Sequence, residues 1–472
     1  MSFHTPKRLL VAAAVIGVLA VVAAALFVAL TGHSVVAGPD AGPPANPDPP
    51  SPGHSWSQIG DLPGTMWHSN NDGPGSGLDA DTLDGQQPGS GGGLVAGTLS
   101  RLGFSTTTVD STGNVGLYTS ATVGTDGLPL VSYFDMTDWD LEVVHCGNAG
   151  CSAGNTITTV DSTGDPGSYG SITVGADGLP LISYLGSSLG GLKVAHCGNA
   201  ACSASNTITT VDSTGNVGQY TSVTVGADGL PVISYYDGSL QDLKVLHCSQ
   251  VDCSDTLNNS ITKVDGTGTS VGTYTSVTVG ADGLPLISYY DGSNSDLKVL
   301  HCSQADCMDT LNNIITTVDG AGKNVGYFTS VTVGADGLPL ISYYDTSNSD
   351  LKVLHCSKAD CSDTVNNTIT TVDSTGEVGR NSSVTVGTDG LPLISYYDNT
   401  NGDLKVAHCS NATCSASTTT KVDGTGTSVG LHTSVTVGPD GLPVISYYDD
   451  TNDDLKVAHC SNRLCVPYHR PR

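Results

Sequence analysis

The residues of this chain that could carry chemistry recur in pairs of histidine and cysteine. A His-Cys dipeptide occurs seven times, 51 to 54 residues apart, and each copy begins a Cys-x4-Cys pattern. One histidine and two cysteines could bind zinc, but adjacent strand residues point to opposite faces of a sheet. An even number of closely paired cysteines instead predicts one local disulfide in each repeat. The predicted pairs are Cys146 with Cys151, Cys197 with Cys202, Cys248 with Cys253, Cys302 with Cys307, Cys356 with Cys361, Cys409 with Cys414, and Cys460 with Cys465.

Aspartates form a second repeated group, at the end of the second apolar run of most repeats. Several are followed by a loop rich in Asp, Asn and Ser, and such oxygen ligands suit Ca²⁺. Their spacing departs from the twelve-residue calcium loop, and Asx turns would use the same side chains. Calcium is therefore the one candidate cofactor, with turn formation as the alternative. The calcium candidates are Asp237, Asp291, Asp345, Asp398, Asp403, Asp449 and Asp454.

Positions where the repeat carries an aromatic ring, or departs from its pattern, are candidates for a ligand site. Tyr169 and Phe328 share one repeat position with three other tyrosines, and we expect these rings to surround a channel mouth. The sixth repeat has Asn381 at this position, and the first repeat has Glu142 where the others have lysine. Aromatic rings beside carboxylates and amides resemble a sugar-binding surface, whereas drift between repeats would leave no site. The ligand-binding candidates are Tyr118, Asp135, Trp139, Asp140, Tyr220, Tyr274, Arg380 and His432.

Signatures of catalysis are weak. A sialidase-type site needs clustered arginines, but the arginines beyond the leader are few and scattered. Neither Gly-x-Ser-x-Gly nor His-Glu-x-x-His occurs. Paired carboxylates for glycoside hydrolysis stay open because aspartate is abundant. The sequence therefore predicts a non-catalytic binding or adhesion module that recognises a glycan or an extracellular protein through an acidic loop face. A glycan-processing enzyme is the alternative.

The elements that must position these residues are short strands. Each repeat holds four runs rich in Val, Ile, Thr and Tyr, separated by turn residues. A long internal period indicates an array of one unit, and four strands per unit fit a propeller blade better than a β-solenoid coil. The last repeat lacks its fourth run, and a matching run over residues 106–110 precedes the first repeat. We therefore predict an all-β, seven-bladed β-propeller over residues 105–472, with four-stranded antiparallel blades and closure by the N-terminal strand.

The repeat also resembles a known type of sequence. Residues 210–237 read TVDSTGNVGQYTSVTVGADGLPVISYYD, and the continuation DLKVAHC-x4-C appears in the later repeats. This pattern is similar to a repeat of uncharacterised bacterial surface and secreted proteins. The similarity covers residues 106–465 and implies a β-propeller without an established activity.

The N-terminal quarter predicts export. Residues 9–30 are continuously apolar and follow Lys7 and Arg8, which favours a membrane span with a cytoplasmic N-terminus. Residues 1–37 are thus a signal anchor, or a signal peptide cleaved after Ala37. Residues 38–53 form a Pro-rich stalk, and residues 54–104 form a Gly-rich, mostly disordered linker. The protein is expected at the cell surface, or secreted if cleaved. The net charge of −28 argues against a nucleic-acid partner.

Overall fold

The computed structural model describes residues 103–467, except residues 165, 187–190, 267–269 and 425–427. The predicted leader, the stalk and all but the end of the linker lie outside these residues. Within the described part of the chain, no helix is long and apolar enough to cross a membrane. The predicted span over residues 9–30 lies outside that part.

The described residues form 28 β-strands, four for each repeat. The innermost strands are β2 (Val115–Val123), β6 (Pro166–Val174), β10 (Val217–Val225), β14 (Val271–Val279), β18 (Val325–Val333), β22 (Val378–Val386) and β26 (Val429–Val437). The second strands are β3 (Pro129–Asp135), β7 (Pro180–Gly186), β11 (Pro231–Asp237), β15 (Pro285–Asp291), β19 (Pro339–Asp345), β23 (Pro392–Asp398) and β27 (Pro443–Asp449).

The other two strands of each blade complete the set. The third strands are β4 (Asp140–His145), β8 (Leu192–His196), β12 (Asp242–His247), β16 (Asp296–His301), β20 (Asp350–His355), β24 (Asp403–Cys409) and β28 (Asp454–Cys460). The outer strands are β1 (Phe104–Asp110), β5 (Thr156–Asp161), β9 (Thr207–Asp212), β13 (Ser260–Asp265), β17 (Ile314–Asp319), β21 (Thr368–Asp373) and β25 (Ser417–Asp423).

These strands build seven four-stranded antiparallel sheets. Blades 1 to 6 each contain four consecutive strands, beginning with β2–β5 and ending with β22–β25. Blade 7 contains β26, β27 and β28, and β1 pairs with β28 as its outer strand. Neighbouring inner strands contact one another around the whole set, and β26 contacts β2. The predicted all-β, seven-bladed propeller with four-stranded antiparallel blades is confirmed.

The hydrophobic core lies between blades. The second strand of each blade is buried along nearly its whole length, and its side chains pack against those of the neighbouring sheet. One cluster joins Val245 of blade 3 to Ile287 and Tyr289 of blade 4, and equivalent clusters occur at the other contacts. Because both faces of a blade are covered by its neighbours, the strands read as nearly continuous apolar runs.

The predicted disulfides are confirmed, and each closes the turn after a third strand. All fourteen cysteines are buried, and the two Cα atoms of each pair lie 4.7 to 5.0 Å apart. Disulfides of this density indicate an extracellular or secreted environment. The bonds join Cys146 to Cys151, Cys197 to Cys202, Cys248 to Cys253, Cys302 to Cys307, Cys356 to Cys361, Cys409 to Cys414, and Cys460 to Cys465.

The second cysteine of each pair has a backbone conformation that the sequence did not predict. Its φ lies between 50° and 55° in all seven turns, in the left-handed region that non-glycine residues seldom adopt. The backbone N–H of this residue donates to the carbonyl three residues earlier, as Cys307 does to Gln304 at 3.1 Å. The cysteine therefore ends a tight turn as well as forming the bond. The residues are Cys151, Cys202, Cys253, Cys307, Cys361, Cys414 and Cys465.

The repeated histidine pairs with an aspartate of its own blade. His301 Nε2 lies 2.8 Å from Oδ2 of Asp282, in the Ala-Asp-Gly turn of its own blade. The same pair recurs in all seven blades, from His145 with Asp126 to His459 with Asp440. The second and third strands are antiparallel neighbours, so the histidine at the end of the third strand comes next to the turn that precedes the second.

A row of hydroxyl groups joins the blades near the axis, with one gap. In six blades the hydroxyl of a Thr or Ser on the inner strand bonds a buried serine of the preceding blade, as Thr221 does with Ser183 at 2.8 Å. Blade 2 has Gly170 at this position, and Oγ of the buried Ser132 has no hydrogen-bond partner. The glycine therefore leaves one buried hydroxyl unsatisfied.

Replacing Gly170 by threonine should stabilise the ring. A Cβ atom there would come no closer than 3.5 Å to other atoms, so the residue fits. A hydrogen bond to Ser132 contributes about 1 kcal/mol, which raises the melting temperature by roughly 2 °C. Calorimetry on the Gly170→Thr protein measures this, with Thr221→Gly as the reciprocal control that should melt earlier. A melting temperature that stays the same or falls in Gly170→Thr would contradict this account.

Candidate functional site

One residue from each inner strand faces a cavity of about 180 Å³. We call these seven residues the crown: Tyr118, Tyr169, Tyr220, Tyr274, Phe328, Asn381 and His432. Each is the fourth residue of its strand, close to the end where the Asp-rich loops lie. The residue that follows each crown residue, such as Thr221, completes the lining.

The backbone at the crown is held in an unfavourable conformation. All seven residues have φ between 52° and 56°, in the left-handed region that bulky side chains avoid. Each lies where the register between the inner and second strands shifts, as between Gln219 and Ser222. Such a residue costs on the order of 1 kcal/mol or more. The fold maintains this conformation seven times, and its effect is to turn seven side chains towards one cavity.

Two residues before each crown residue, a glycine of the inner strand lies against the third strand of the preceding blade. Gly272 has φ of 103°, and a Cβ atom there would lie 2.8 Å from Cα of Leu243 in the preceding blade. Only glycine allows both the angle and the contact. The Val-Gly step of the repeat therefore brings neighbouring blades close enough for the crown side chains to meet.

Six of the crown side chains form a continuous arc of rings. Ring centroids are 4.6 to 4.7 Å apart from His432 through the four tyrosines to Phe328. The planes of neighbouring rings in the arc are inclined by 43° to 60°. The four tyrosines all line the same cavity. Asn381 fills the seventh position with an amide.

A second layer of rings supports the crown. Phe134, Tyr236, Tyr290 and Tyr448 lie 6.4 to 6.5 Å from the crown ring of their own blade, measured between centroids. The tyrosine hydroxyl groups reach the loop that leads into the next blade, as Tyr290 does by donating to Asn324 at 2.9 Å. The sequence analysis did not identify this layer. The second tyrosine of the repeated Ser-Tyr-Tyr-Asp is the signal that would have found it.

The crown is electrically neutral. Burial, together with the neighbouring phenols, raises the pKa of Tyr118 and of Tyr220, so both stay protonated. Burial lowers the pKa of His432 to about 4, which keeps the imidazole uncharged at neutral pH. The lining contains no Asp, Glu, Lys or Arg among the residues that the structure describes. A protein of net charge −28 thus has a cavity that offers neutral donors and acceptors.

The predicted ligand-binding residues divide into two groups. The structure brings Tyr118, Tyr220, Tyr274 and His432 together in the crown. Trp139 lies apart, 47% exposed, with its ring 5.8 Å from Phe134.

The other three candidates also lie outside the crown. Asp135 is buried and accepts hydrogen bonds from its own turn, and burial followed by neighbouring carboxylates raises the pKa of Asp140. Arg380, beside the crown, pairs with Glu377 and lies 5.8 Å from the ring centre of Tyr344.

In the structure, most of the calcium candidates accept hydrogen bonds within turns or form ion pairs with lysines. Asp291 accepts backbone hydrogen bonds within its loop, and its Oδ2 lies 2.8 Å from Nζ of Lys298. Asp403 pairs with Lys421, whereas burial raises the pKa of Asp454. Across the described residues, no three His, Cys, Asp or Glu side chains are grouped around a metal position. Calcium binding stays a prediction. The remaining candidates each contact the lysine equivalent to Lys298: Asp237, Asp345, Asp398 and Asp449.

Comparisons with known proteins show structural similarity only. No family model and no curated protein matches the chain. A protein of unknown function from Dyadobacter fermentans is 10% identical, covers 75% of this chain and 98% of its own, and has a TM-score of 0.46. The NanB sialidase of Streptococcus pneumoniae is 10% identical over 75% of this chain and 70% of its own, with a TM-score of 0.43. An oligogalacturonate lyase is 11% identical over 76% and 94%, with a TM-score of 0.46. The named activities are those of the compared proteins, and the predicted relation to bacterial surface repeats stays a prediction.

His432 should make the protein less stable in acid. Burial lowers its pKa from the ordinary value of 6.5 to about 4 in the folded protein. Between these values the unfolded state binds more protons, so stability is lost as the pH falls through this window. The His432→Asn variant, which copies the crown residue of blade 6, should lose less melting temperature between about pH 7 and pH 5 than the parent protein. Equal losses in both proteins would show that His432 is not held neutral.

Proposed function

We propose that this protein is a non-catalytic binding module, at the cell surface or secreted, whose crown binds the terminal residue of a neutral glycan. The observation that carries the proposal is that seven side chains, turned inward by left-handed backbone, line one neutral cavity. The same backbone conformation at the second cysteine of each pair serves a turn, so the shared cavity is the feature that points to a ligand. Seven disulfides agree with an extracellular setting, and anchoring by residues 9–30 is part of the proposal.

The size and chemistry of the cavity support a sugar. Ligand sites for larger molecules usually measure about 300 Å³ or more, so a cavity of about 180 Å³ suits one residue at the end of a chain. Phenol hydroxyls, an amide and a neutral imidazole match the alternating donors and acceptors of sugar hydroxyls. The aromatic edges between them offer apolar contact to the C–H groups of a sugar. A charged sugar would find no opposite charge in this lining.

A glycan-processing enzyme is the second candidate function. One carboxylate group is not repeated: Glu142 lies near Asp110 and Asp135, and burial together with both neighbours raises its pKa. A carboxyl group of raised pKa beside an ionised one is the pattern of an acid catalyst. This group lies between blades 7 and 1, however, and none of its members lines the cavity. The geometry therefore supports binding better than hydrolysis.

Binding of neutral glycans to the purified full-length protein tests the proposal. A glycan array identifies a ligand, and titration calorimetry then compares the parent protein with Tyr220→Phe, which removes one crown hydroxyl. Loss of one hydrogen bond of about 1 kcal/mol should weaken binding roughly fivefold. Chelation of divalent cations should leave binding unchanged, since the crown contains no carboxylate.

A matched control separates the crown from the rest of the ring. Tyr397 bonds Ser428 at 3.0 Å outside the cavity, so Tyr397→Phe should bind as the parent protein does. Equal weakening in both variants would place the ligand elsewhere, and no binding to any neutral glycan would refute the proposal. Release of sugar from a bound glycan would favour the second candidate function.

A further inference from the structure

A lysine bridges each of six contacts between blades. Nζ of this lysine lies 2.5 to 3.8 Å from the aspartate that ends the outer strand of the preceding blade. In five blades it also lies 2.6 to 3.6 Å from the aspartate that ends its own second strand. One ammonium group thus joins carboxylates of two blades. The lysines are Lys193, Lys244, Lys298, Lys352, Lys405 and Lys456.

The seventh contact, between blades 7 and 1, has a carboxylate in place of the ammonium. Glu142 occupies the lysine position on β4, and its neighbours are Asp110 of β1 and Asp135 of β3. Both aspartates are buried, 7% and 4% exposed. Among the described residues, no ion pair joins any of these three carboxylates to a cation. We call this contact the acidic seam.

Asp135 of blade 1 also lacks the asparagine that contacts the equivalent aspartate in other blades. In blades 4 to 7 an asparagine of the hairpin loop donates to Oδ2 of the second-strand aspartate, as Asn294 does to Asp291 at 2.9 Å. Blade 1 has Asp138 at that place, so the loop adds a carboxylate instead of a donor. Oδ1 of Asp135 keeps the backbone hydrogen bonds of the turn.

The acidic seam lies where the ring depends on non-covalent contacts. The other outer strands follow the third strand of the same blade through a disulfide-closed turn, as β17 follows β16. Strand β1 instead precedes blade 1 along the chain and is held on blade 7 by pairing with β28. Asp110 is the last residue of β1. Repulsion at the seam therefore acts directly on this strand.

We propose that the acidic seam is a pH-dependent latch, in which a proton on Glu142 takes the place of the lysine ammonium, so that β1 is held tightly in acid and loosens as the pH rises. A protonated Glu142 carboxyl can donate to a neighbouring carboxylate, whereas the ionised group makes the third negative charge of a buried cluster. Tyr133 donates to Asp110 at 2.7 Å and Thr159 to Glu142 at 3.1 Å, but both hydroxyl groups are neutral and do not replace the ammonium charge.

Burial raises the pKa of Glu142, hydrogen bonds from Tyr133 and Thr159 partly offset this, and Asp110 and Asp135 raise it further, so the net direction is upward. Asp110 comes from β1, and Tyr133 and Asp135 come from β3. Asp140, the first residue of β4, adds a further carboxyl group to this contact. Burial and then Asp138, Asp135 and Asp161 raise its pKa, and Asp161 is paired with Lys193. Because the folded state holds Glu142 protonated more tightly than the unfolded state, stability falls as the pH rises from the ordinary glutamate range through the raised pKa.

The other contacts between blades have the opposite pH dependence. Burial alone would raise the pKa of Asp373, but hydrogen bonds from Lys405 and Tyr396 hold it below its usual value. The pKa of Asp423 is lowered in the same way, beside Lys456. Those contacts weaken when their carboxylates are protonated in acid. A response of the reverse sign therefore distinguishes the latch from the rest of the ring.

Hydrogen exchange of the full-length protein, followed by mass spectrometry, tests the latch. After correction for the intrinsic exchange rate, amides of β1 should lose protection as the pH rises from about 5 to 8, because Glu142 then gains a negative charge beside two other carboxyl groups. Amides of β17, an outer strand beside lysine-bridged contacts, should keep the same protection over this pH range. Glu142→Lys restores the bridging residue and Glu142→Gln removes the titrating group. Both variants should abolish the pH dependence of β1.

Three results would overturn the latch. One is protection of β1 that does not change with pH, and another is a change that persists in Glu142→Lys. The third is recovery of β1 protection at pH 8 by millimolar Ca²⁺ alone, which would mean that a metal ion rather than a proton bridges the carboxylates. Lys298→Glu provides an independent check, because it should give the contact between blades 3 and 4 the same loss of protection with rising pH.

Discussion

One hydrogen bond recurs at every contact between blades, and the positions of the other groups depend on it. The tyrosine that follows the buried serine of each second strand donates to the aspartate at the end of the preceding outer strand, at 2.7 to 2.8 Å. The tyrosine is buried, so a missing partner would cost about 1 to 3 kcal/mol. This bond ties the middle of one sheet to the edge of the next. It also brings the same aspartate within reach of the bridging lysine.

The crown follows from this arrangement. Once the blades are joined at the outer strands, close approach at Gly272 and its equivalents brings the inner strands together at the axis. The extra backbone length at each register shift then turns one side chain per blade inward. The repeat places one such side chain in each of the seven blades. Four of them are tyrosines, and the other three are Phe328, Asn381 and His432. A symmetric scaffold thereby holds a cavity with distinct sides.

Much of the fold was accessible from the sequence because the repeat displays it. The spacing of the His-Cys pairs predicted the number of blades, alternating turns and apolar runs predicted four strands, and the Cys-x4-Cys spacing predicted the disulfides. The sequence analysis also placed Tyr118 and its equivalents at a channel mouth. It missed the left-handed conformation there and at the second cysteine of each pair, since neither residue type signals positive φ as glycine does.

The contacts across blades were harder to foresee. Sequence order shows which residues share a strand, but the partner of Lys298 depends on how two sheets are stacked, and it lies 33 residues away at Asp265. The same limit applies to the repeated histidine, since sequence order does not show that His301 pairs with Asp282. Glu142 was visible as an exception, but its meaning appeared only when Asp110 and Asp135 were found beside it.

The central claim is that the crown is the ligand site of this ring. A crystal structure of the protein bound to a neutral oligosaccharide tests it most directly. We expect one sugar residue on the axis, with its hydroxyls bonded to the crown phenols and to Asn381 or His432. Sugar bound only at Trp139 or on the Asp-rich loops, with the crown cavity holding none, would contradict it.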